Sequence, residues 1–355
     1  MSANRGARWL LYGANGYTGA LIAEEAVRRG LRPILAGRRA EAVRPLAARL
    51  GLEVRVFSLD SVEEIARGLE GVGAVCLAAG PFARTSAPMV QACLATRTHY
   101  TDITGEVPIF EACHRLDVEA KAAGIALLPG VGFDVVPTDC LAASLAARLP
   151  TARRLALAFA VEGGPSGGTA RTMIEGLPEG GLVRRGGRLV RVPAAHATRW
   201  VPFHDRSRHA VAFPWGDVST AFYSTGIGDI EVYMAAPRIA ARALGATRHL
   251  TGLLGSRPAQ RALRGLVQLA IRDPDAQANR AASCQVWGRA EDDAGGGLEG
   301  TLEGPGTYPL TAQTAVDATE RCARGEAPAG ALTPSMAFGA DYVERFEGVR
   351  MHLEA

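Results

Sequence analysis

Lysine is almost absent from this chain. The 355 residues include 39 basic side chains against 36 acidic ones, yet Lys121 is the only lysine. Reductases that use a Tyr-xxx-Lys pair need this residue type, and so do enzymes that form a Schiff base. Asp117, not a tyrosine, stands four residues before Lys121, and the surrounding polar helical stretch is typical of a solvated side chain. Both enzyme classes are therefore excluded.

Other sequence features that the chain lacks argue against a metal site, a membrane span and a nucleic-acid partner. The six cysteines form no Cys-x-x-Cys pair, and His196, His204 and His209 are too irregularly spaced for a metal, so we expect no metal and a reduced, cytoplasmic setting. No apolar run approaches the roughly 18 to 20 residues of a spanning helix, and no signal peptide is expected. A net charge of +3 gives no reason to expect a nucleic-acid partner.

The chain has the composition of a folded protein of about two domains, with 48% hydrophobic residues. Short apolar runs alternate with helical stretches up to residue 132, which predicts an α/β domain with a Rossmann-like doubly wound parallel sheet. The predicted strands lie near 8–12, 32–36, 53–58, 74–79, 99–103 and 125–128. The predicted helices lie near 16–29, 40–50, 61–69, 85–96 and 108–123.

The pattern changes after this first domain. Longer alternating strands near 154–161, 209–213 and 229–234 precede a hairpin formed by 283–290 and 298–304. We therefore expect a Rossmann-like domain at 1–132, an inserted α+β substrate domain at 133–309, and a C-terminal helical segment at 310–355 that packs back on the first domain.

The strongest motif is a glycine-rich turn, GANGYTG, that directly follows the first strand and opens the first helix. Glycines in this position permit a tight turn and close approach of the backbone to a pyrophosphate, which the helix N-terminus also favours. A plain strand-to-helix turn is the alternative. The predicted cofactor contacts in the motif are Gly13, Asn15, Gly16, Tyr17, Thr18 and Gly19.

The second strand ends in Arg38 and Arg39, where an NAD enzyme usually offers a carboxylate to the ribose hydroxyls. A guanidinium can bind a 2′-phosphate through paired hydrogen bonds, so NADP(H) is the predicted cofactor. The alternative is that both arginines begin a solvated helix. Asp60 either reaches the adenine amino group or is a first-turn helix acid. Further predicted cofactor contacts are Ala79, Gly80, Pro81 and Phe133.

Proton chemistry must come from other side chains, and ligands of doubly wound sheets lie beyond the carboxyl ends of the strands. Asp102, Glu106 and Asp134 follow the fifth and sixth strands and are candidates to face a nicotinamide. The alternative interpretation is that Asp102 caps a turn and Asp134 caps the helix that starts around Pro137. We select Asp102, Glu106 and Tyr223 as candidates for proton delivery or substrate orientation.

An ordered set of motifs resembles the saccharopine dehydrogenase-like oxidoreductases, in particular the bacterial branch with the trans-acting enoyl reductases of polyketide lipid synthesis. The motifs of the first domain are GANGYTG, AGRR, AAGPF, HYTDITGE and PGVGFDVVPTD. Those of the remaining chain are SGGTART, FPWGDVSTAFYSTGIGDIEVYMAAP and GALTPSMAFG. The resemblance implies an NADP-dependent reductase whose second domain interrupts the nucleotide-binding fold.

The resemblance favours hydride transfer from NADPH to an unsaturated, enoyl-like lipid or polyketide substrate. Reduction of an imine or ketone on an amino-acid-like substrate is one alternative, and a non-catalytic NADPH-binding scaffold is another. A glycine-rich loop at 163–169 with Arg171 either binds an anionic group or is a flexible turn. The arginine-rich stretch 238–280 either receives an acyl-carrier domain or an anionic membrane surface, or forms a solvated helical lid.

Overall fold

The computed structural model describes residues 8–162, 180–246 and 282–354, together with Ser256, Ala259 and Gly265. The chain divides into two compact units. The first contains residues up to Val136 and Tyr308–Phe346, and the second contains Pro137–Thr307 and Glu347–Ala355. The glycine-rich loop predicted at 163–169, with Arg171, lies outside the described residues.

A seven-stranded parallel sheet forms the centre of the first unit. Its strands are β1 (Trp9–Tyr12), β2 (Ile34–Gly37), β3 (Val54–Val56), β4 (Ala74–Leu77), β5 (His99–Asp102), β6 (Ala126–Leu128) and β15 (Gly330–Ala331). The spatial order is β3-β2-β1-β4-β5-β6-β15, and every pair is parallel. The six predicted strands are confirmed, and the order is that of a dinucleotide-binding fold.

Helices cover both faces of this sheet. They are α1 (Tyr17–Arg28), α2 (Ala40–Leu50), α3 (Val62–Gly68), α4 (Phe82–Thr96), α5 (Val107–His114), α6 (Asp117–Ala123), α10 (Thr307–Ala323), α11 (Pro334–Phe338) and a 3₁₀ helix (Tyr342–Arg345). Alternate residues of β1 point to opposite faces: Leu11 packs with α1 and α10, whereas Leu10 packs with α3 and α4. The predicted helix 108–123 is two helices, α5 and α6.

The C-terminal segment corrects the predicted domain 310–355. Helix α10 contributes Ala315, Val316 and Cys322 to the core of the first unit. The last residues instead form β16 (Arg350–Leu353), which pairs antiparallel with a strand of the second unit. They leave the first unit because the edge of the second sheet offers them unpaired backbone groups.

The second unit is built on a nine-stranded, mostly antiparallel sheet. Its strands are β7 (Arg154–Val161), β8 (Gly181–Arg185), β9 (Arg188–Val192), β10 (Thr198–Pro202), β11 (Ser207–Ala212), β12 (Asp229–Ala235), β13 (Ser283–Glu291), β14 (Gly297–Pro305) and β16. The main order is β10-β11-β12-β7-β13-β14-β16, with β8 and β9 attached through β12. Among the described strands of this second sheet, only β7 and β12 pair in parallel.

Three described helices accompany this sheet, namely α7 (Val136–Arg148), α8 (Asp217–Thr225) and α9 (Arg238–Ala246). Helix α7 lies so close to the sheet that a Cβ at Gly288 would come 2.8 Å from Leu145. The β10–β11 hairpin packs Val201 and Phe203 against Ala160 and Trp287. Among the described residues, no helix has the length and apolar character needed to cross a membrane.

Candidate functional site

The turn after β1 is held by two close approaches of backbone. Gly13 has a φ of +88°, a region that favours glycine, and its N–H donates to the Ala36 carbonyl at 2.8 Å. A Cβ on Gly13 would lie 2.8 Å from the Ala79 side chain, and one on Gly19 would lie 2.3 Å from the Gly13 carbonyl oxygen. The first and third glycines are thus required by packing of the turn against the end of β4 and against α1.

The N-terminus of α1 is open to an anion. Gly16 occupies the cap position without any side-chain cap, and the first turn contains no acidic residue. The first N–H groups of a helix point outward from its N-terminus, and the helix dipole adds partial positive charge there. Asn15 is exposed beside Gly37 at the end of β2. This turn has the geometry of a phosphate cradle.

Charged side chains that follow β2 and β3 influence the buried hydroxyl of Tyr12. The Tyr12 hydroxyl donates to the Phe57 carbonyl at 2.9 Å, and burial raises its pKa to about 12 against an opposing influence from Arg38. Asp60 is exposed and accepts a hydrogen bond from Ser58.

Arg38 and Arg39 are both exposed at the point where β2 ends, and none of the residues 37–40 carries a carboxylate. Arg39 also precedes the first residue of α2 and has a long contact of 3.9 Å with Glu41. Residues 79–81 follow β4 and are open to solvent to differing degrees, with the Ala79 carbonyl accepting from the Thr85 hydroxyl at 2.7 Å.

Asp102 is a buried carboxylate that links the loops after β5 and β6, and its predicted part in proton delivery stays a prediction. The residue is 0% exposed and accepts hydrogen bonds from the Tyr100 hydroxyl at 2.6 Å and from the N–H groups of Thr104 and Gly130 at 3.0 and 2.8 Å. Burial raises its pKa to about 6 in spite of these donors. The alternative expectation, that Asp102 caps a turn, is confirmed by the bond from Thr104.

Asp134 differs from Asp102 in having no such donors. Its carboxyl packs against Gly105, where a Cβ would lie 2.7 Å from Oδ2, and it makes no hydrogen bond or ion pair with any residue that the structure describes. Burial raises its pKa to about 7. It does not cap α7, contrary to the alternative weighed from the sequence. A carboxyl group of this kind, between the loops that follow β5 and β6, can hold or release a proton near neutral pH.

The other predicted side chains of these loops lie in different surroundings. Glu106 is partly buried at the start of α5, and its N–H donates to the Thr104 hydroxyl at 3.0 Å. Phe133 is 3% exposed, and its N–H donates to Thr311 of α10 at 3.0 Å. Phe133 therefore ties the β6 loop to α10.

Tyr223 belongs to the second unit, on α8. Its ring contacts Phe222 edge to face at 5.5 Å between centroids and lies 5.8 Å from the Arg184 guanidinium. Arg184 is buried and donates to the carbonyls of Val218 and Gly187. Tyr223 thus packs against Phe222 and Arg184. Its predicted part in catalysis stays a prediction.

The arginine-rich stretch 238–280 is described only in part. Helix α9 exposes Arg238, Arg242 and Ile239, the last with 79% of its surface accessible. All but three of the residues that follow α9 up to 280 lie outside the described part of the chain. The predicted acyl-carrier or membrane contact therefore stays a prediction.

Fold and turn together define the class of the first unit. Residues 13–118 match a family model described as NAD(P)H-binding, and this range begins at the first glycine of the turn. The first unit therefore contains a Rossmann-like domain for a nicotinamide dinucleotide.

Two curated relatives match this chain over a longer stretch than the family model does. A Mycobacterium tuberculosis protein provisionally named a trans-acting enoyl reductase is 34% identical over 182 residues, covering 47% of this chain and 43% of the relative. The trans-acting enoyl reductase of Mycobacterium leprae is 36% identical over 142 residues, covering 37% and 33%. The matched region spans less than half the length of these curated relatives.

The fold of the whole chain is also found in a solved structure. Apo saccharopine dehydrogenase (L-Glu forming) of Saccharomyces cerevisiae matches 99% of this chain and 100% of its own with a TM-score of 0.66, at 12% identity. At that identity the likeness is one of fold alone. Together the matches confirm the resemblance to saccharopine dehydrogenase-like proteins and trans-acting enoyl reductases that the motifs predicted.

Proposed function

We propose that this protein is an NADPH-dependent reductase that saturates the carbon–carbon double bond of an enoyl-like lipid or polyketide substrate. The single observation that carries the proposal is the phosphate cradle after β1 combined with an arginine, and no carboxylate, at the end of β2. The curated relatives named trans-acting enoyl reductases support the substrate class, although the match covers less than half of their length.

The cofactor preference follows from charge. A carboxylate at the end of β2 would repel a 2′-phosphate, whereas the exposed guanidinium of Arg38 can donate two parallel hydrogen bonds to it. The turn at Gly13 and the start of α1 would hold the pyrophosphate in either cofactor, so they do not select between NADPH and NADH. Selection therefore falls to Arg38 and its neighbour Arg39.

Protonation of the second carbon needs an acid of this chain or water. When bound, NADPH supplies a hydride to the substrate. Asp134 can supply the proton, because its carboxyl has no partner within the described residues and its pKa is raised to about 7 by burial. Asp102 is a weaker candidate, because its carboxylate accepts three hydrogen bonds from the β5 strand and from the loops after β5 and β6.

A substrate screen tests the proposed activity. The absorbance of NADPH is followed with enoyl thioesters, with ketones, and with keto acids plus amines. We expect oxidation with enoyl thioesters. Oxidation with keto acids and amines alone would replace the proposal by an imine reductase, and NADPH binding without oxidation in any arm would replace it by a scaffold.

A substitution at Arg38 tests the preference for NADPH over NADH separately. We expect Arg38→Ala to weaken NADPH binding by about tenfold to a hundredfold, since a charge-assisted hydrogen bond contributes about 1.5 to 3 kcal/mol, and to leave NADH binding unchanged. The matched control is Arg44→Ala, an exposed arginine further along α2. Fluorescence titration of both dinucleotides measures the ratio. An unchanged ratio in Arg38→Ala would overturn the assignment.

A further inference from the structure

Three side chains able to bind a metal lie together in the second unit, although they are far apart in the chain. His204 stands in the turn between β10 and β11, Glu303 lies on β14 and His352 lies on β16. Each offers one ligand atom, and these atoms all lie within 4.8 Å of one another.

The sheet and the hairpin explain how the three side chains meet. In the antiparallel pair of β14 and β16, Thr301 faces His352 and Glu303 faces Arg350, so Glu303 and His352 are diagonal neighbours on one face. The tip of the β10–β11 hairpin then brings the ring of His204 onto that of His352. The two rings are stacked at 4.6 Å between centroids with planes 7° apart.

The possible ligand atoms of these three residues are not used in hydrogen bonds or ion pairs with the described residues. Within the described part of the chain, none of the three makes a hydrogen bond or an ion pair, not even Glu303 with the arginine directly across the strand pair. Two other histidines of this unit differ in this respect. A ring nitrogen of His196 lies 3.4 Å from Glu231, and one of His209 lies 3.1 Å from the Ala236 carbonyl oxygen.

We propose that His204, Glu303 and His352 form a binding site for a divalent transition-metal ion of the Zn²⁺ class. Two imidazoles and one carboxylate suit this borderline-soft ion, whereas Mg²⁺ and Ca²⁺ prefer oxygen ligands alone. Tetrahedral Zn²⁺ with bonds near 2.0 to 2.1 Å needs ligand atoms about 3.3 Å apart. Both histidines are exposed, so small rotations of their side chains can close the difference.

The proposed site has a structural consequence and does not depend on the proposed reductase activity. Its ligands come from the hairpin tip and from two strands at the opposite end of the main sheet order. A bound ion would therefore join the β10–β11 turn to the edge strand β16, and it would slow exchange of amide hydrogens in both segments.

The experiment uses the full chain without a polyhistidine tag, since such a tag binds the same ions. Zn²⁺ is titrated by calorimetry, and Co²⁺ is titrated by its visible absorption, which reports the coordination geometry. We expect one ion per chain. We expect His352→Gln and Glu303→Gln each to weaken binding by more than about tenfold, because even groups that only orient ligands contribute 10- to 100-fold.

The matched control is His209→Gln, a histidine of the same hairpin outside the cluster, which should bind Zn²⁺ like the unmodified protein. Circular dichroism establishes that each variant is folded, and Glu303→Gln keeps the size of the side chain so that at least one variant is informative. No saturable binding of Zn²⁺ would overturn the proposal. Equal binding by His352→Gln, Glu303→Gln and the unmodified protein would also overturn it.

Discussion

Asp102 at the end of β5 and Asp134 in the loop after β6 show how surroundings change the properties of the same side chain. Asp102 ends β5 and accepts three hydrogen bonds, so its carboxylate organises the loops that follow β5 and β6. Asp134 lies in the second of these loops and has burial without donors, which raises its pKa to about 7. The first arrangement stabilises a loop, and the second raises the pH at which the carboxyl ionises, at some expense of stability.

The stability that Asp134→Asn gains over the unmodified protein should depend on pH. In the unfolded chain this carboxyl ionises near pH 4, and in the folded protein only near pH 7. The folded state therefore loses stability as the pH rises through this window, whereas asparagine stays neutral throughout. We expect the variant to be more stable at pH 8 by roughly 1 to 3 kcal/mol, with the difference vanishing towards pH 4, as measured by urea unfolding.

Activity supplies the second readout for the same residue. If Asp134 delivers the proton, turnover of the unmodified protein falls above about pH 7, and Asp134→Asn lowers turnover while raising stability. Asp341→Asn, at an exposed carboxylate without a side-chain cap hydrogen bond, is the control and should change neither the pH profile nor the unfolding curve. A variant with normal turnover would remove Asp134 from the reaction, and the pH-dependent gain in stability would still stand.

At the scale of elements, helix α10 is joined to the parallel sheet by a buried polar contact. The hydroxyls of Thr101 on β5 and Thr319 on α10 lie 2.8 Å apart, and both residues are 0% exposed. We expect Thr319→Val to lower the free energy of unfolding by about 1 kcal/mol, the net contribution of one hydrogen bond. Urea unfolding measures the loss.

Thr314→Val on the same helix is the matched control. Among the described residues, its hydroxyl donates only to carbonyl oxygens of its own helix, those of Leu310 and Thr311, so its removal leaves no partner on another element unpaired. We therefore expect Thr314→Val to lower the free energy of unfolding by less than Thr319→Val does. Equal losses in the two variants would contradict a specific contribution from the contact between α10 and β5.

The elements of the first unit were predictable because local signals agree with the tertiary structure. Apolar runs of four or five residues alternate with amphipathic helices, and this pattern alone indicates the parallel sheet. The break between α5 and α6 was not predicted, since no proline or glycine stands at Arg115 and Leu116. The hairpin of β8 and β9 did carry a signal, Gly186-Gly187, both with positive φ, between two short alternating runs.

The parts that the sequence did not reveal depend on distant pairing. The two residues of β15 form a strand only by adding to β6, and β16 forms by adding to β14. In the site, the glycine turn was predicted from its local context. The difference between Asp102 and Asp134 was not, because it depends on which N–H and O–H groups the folded loops present. The same applies to His204 and His352, whose proximity no local spacing indicates.

For the whole molecule, the excess of arginine over lysine has a structural use besides phosphate binding. Guanidinium groups lie over aromatic rings in both units, as with Arg321 over Phe338 at 4.2 Å, and Arg184 over Phe222 at 4.2 Å. Arg199 similarly lies 4.6 Å from the ring centre of Trp287. A planar cation stacks on such rings more effectively than an ammonium group, so these arginines contribute to packing.

The stability of the first unit should report which part of the cofactor is recognised. A ligand that binds only the folded state stabilises it by about 2.7 kcal/mol at a hundred times its Kd, so equal concentrations rank affinities directly. We expect 2′,5′-ADP to raise the melting temperature more than 5′-AMP, because only the former carries the phosphate that Arg38 is proposed to bind. Differential scanning calorimetry measures both shifts, and Arg38→Ala should make them equal. Equal shifts in the unmodified protein would mean that the arginines at the end of β2 do not read the 2′-phosphate, while a shift with both ligands would still locate an adenosine nucleotide at this domain.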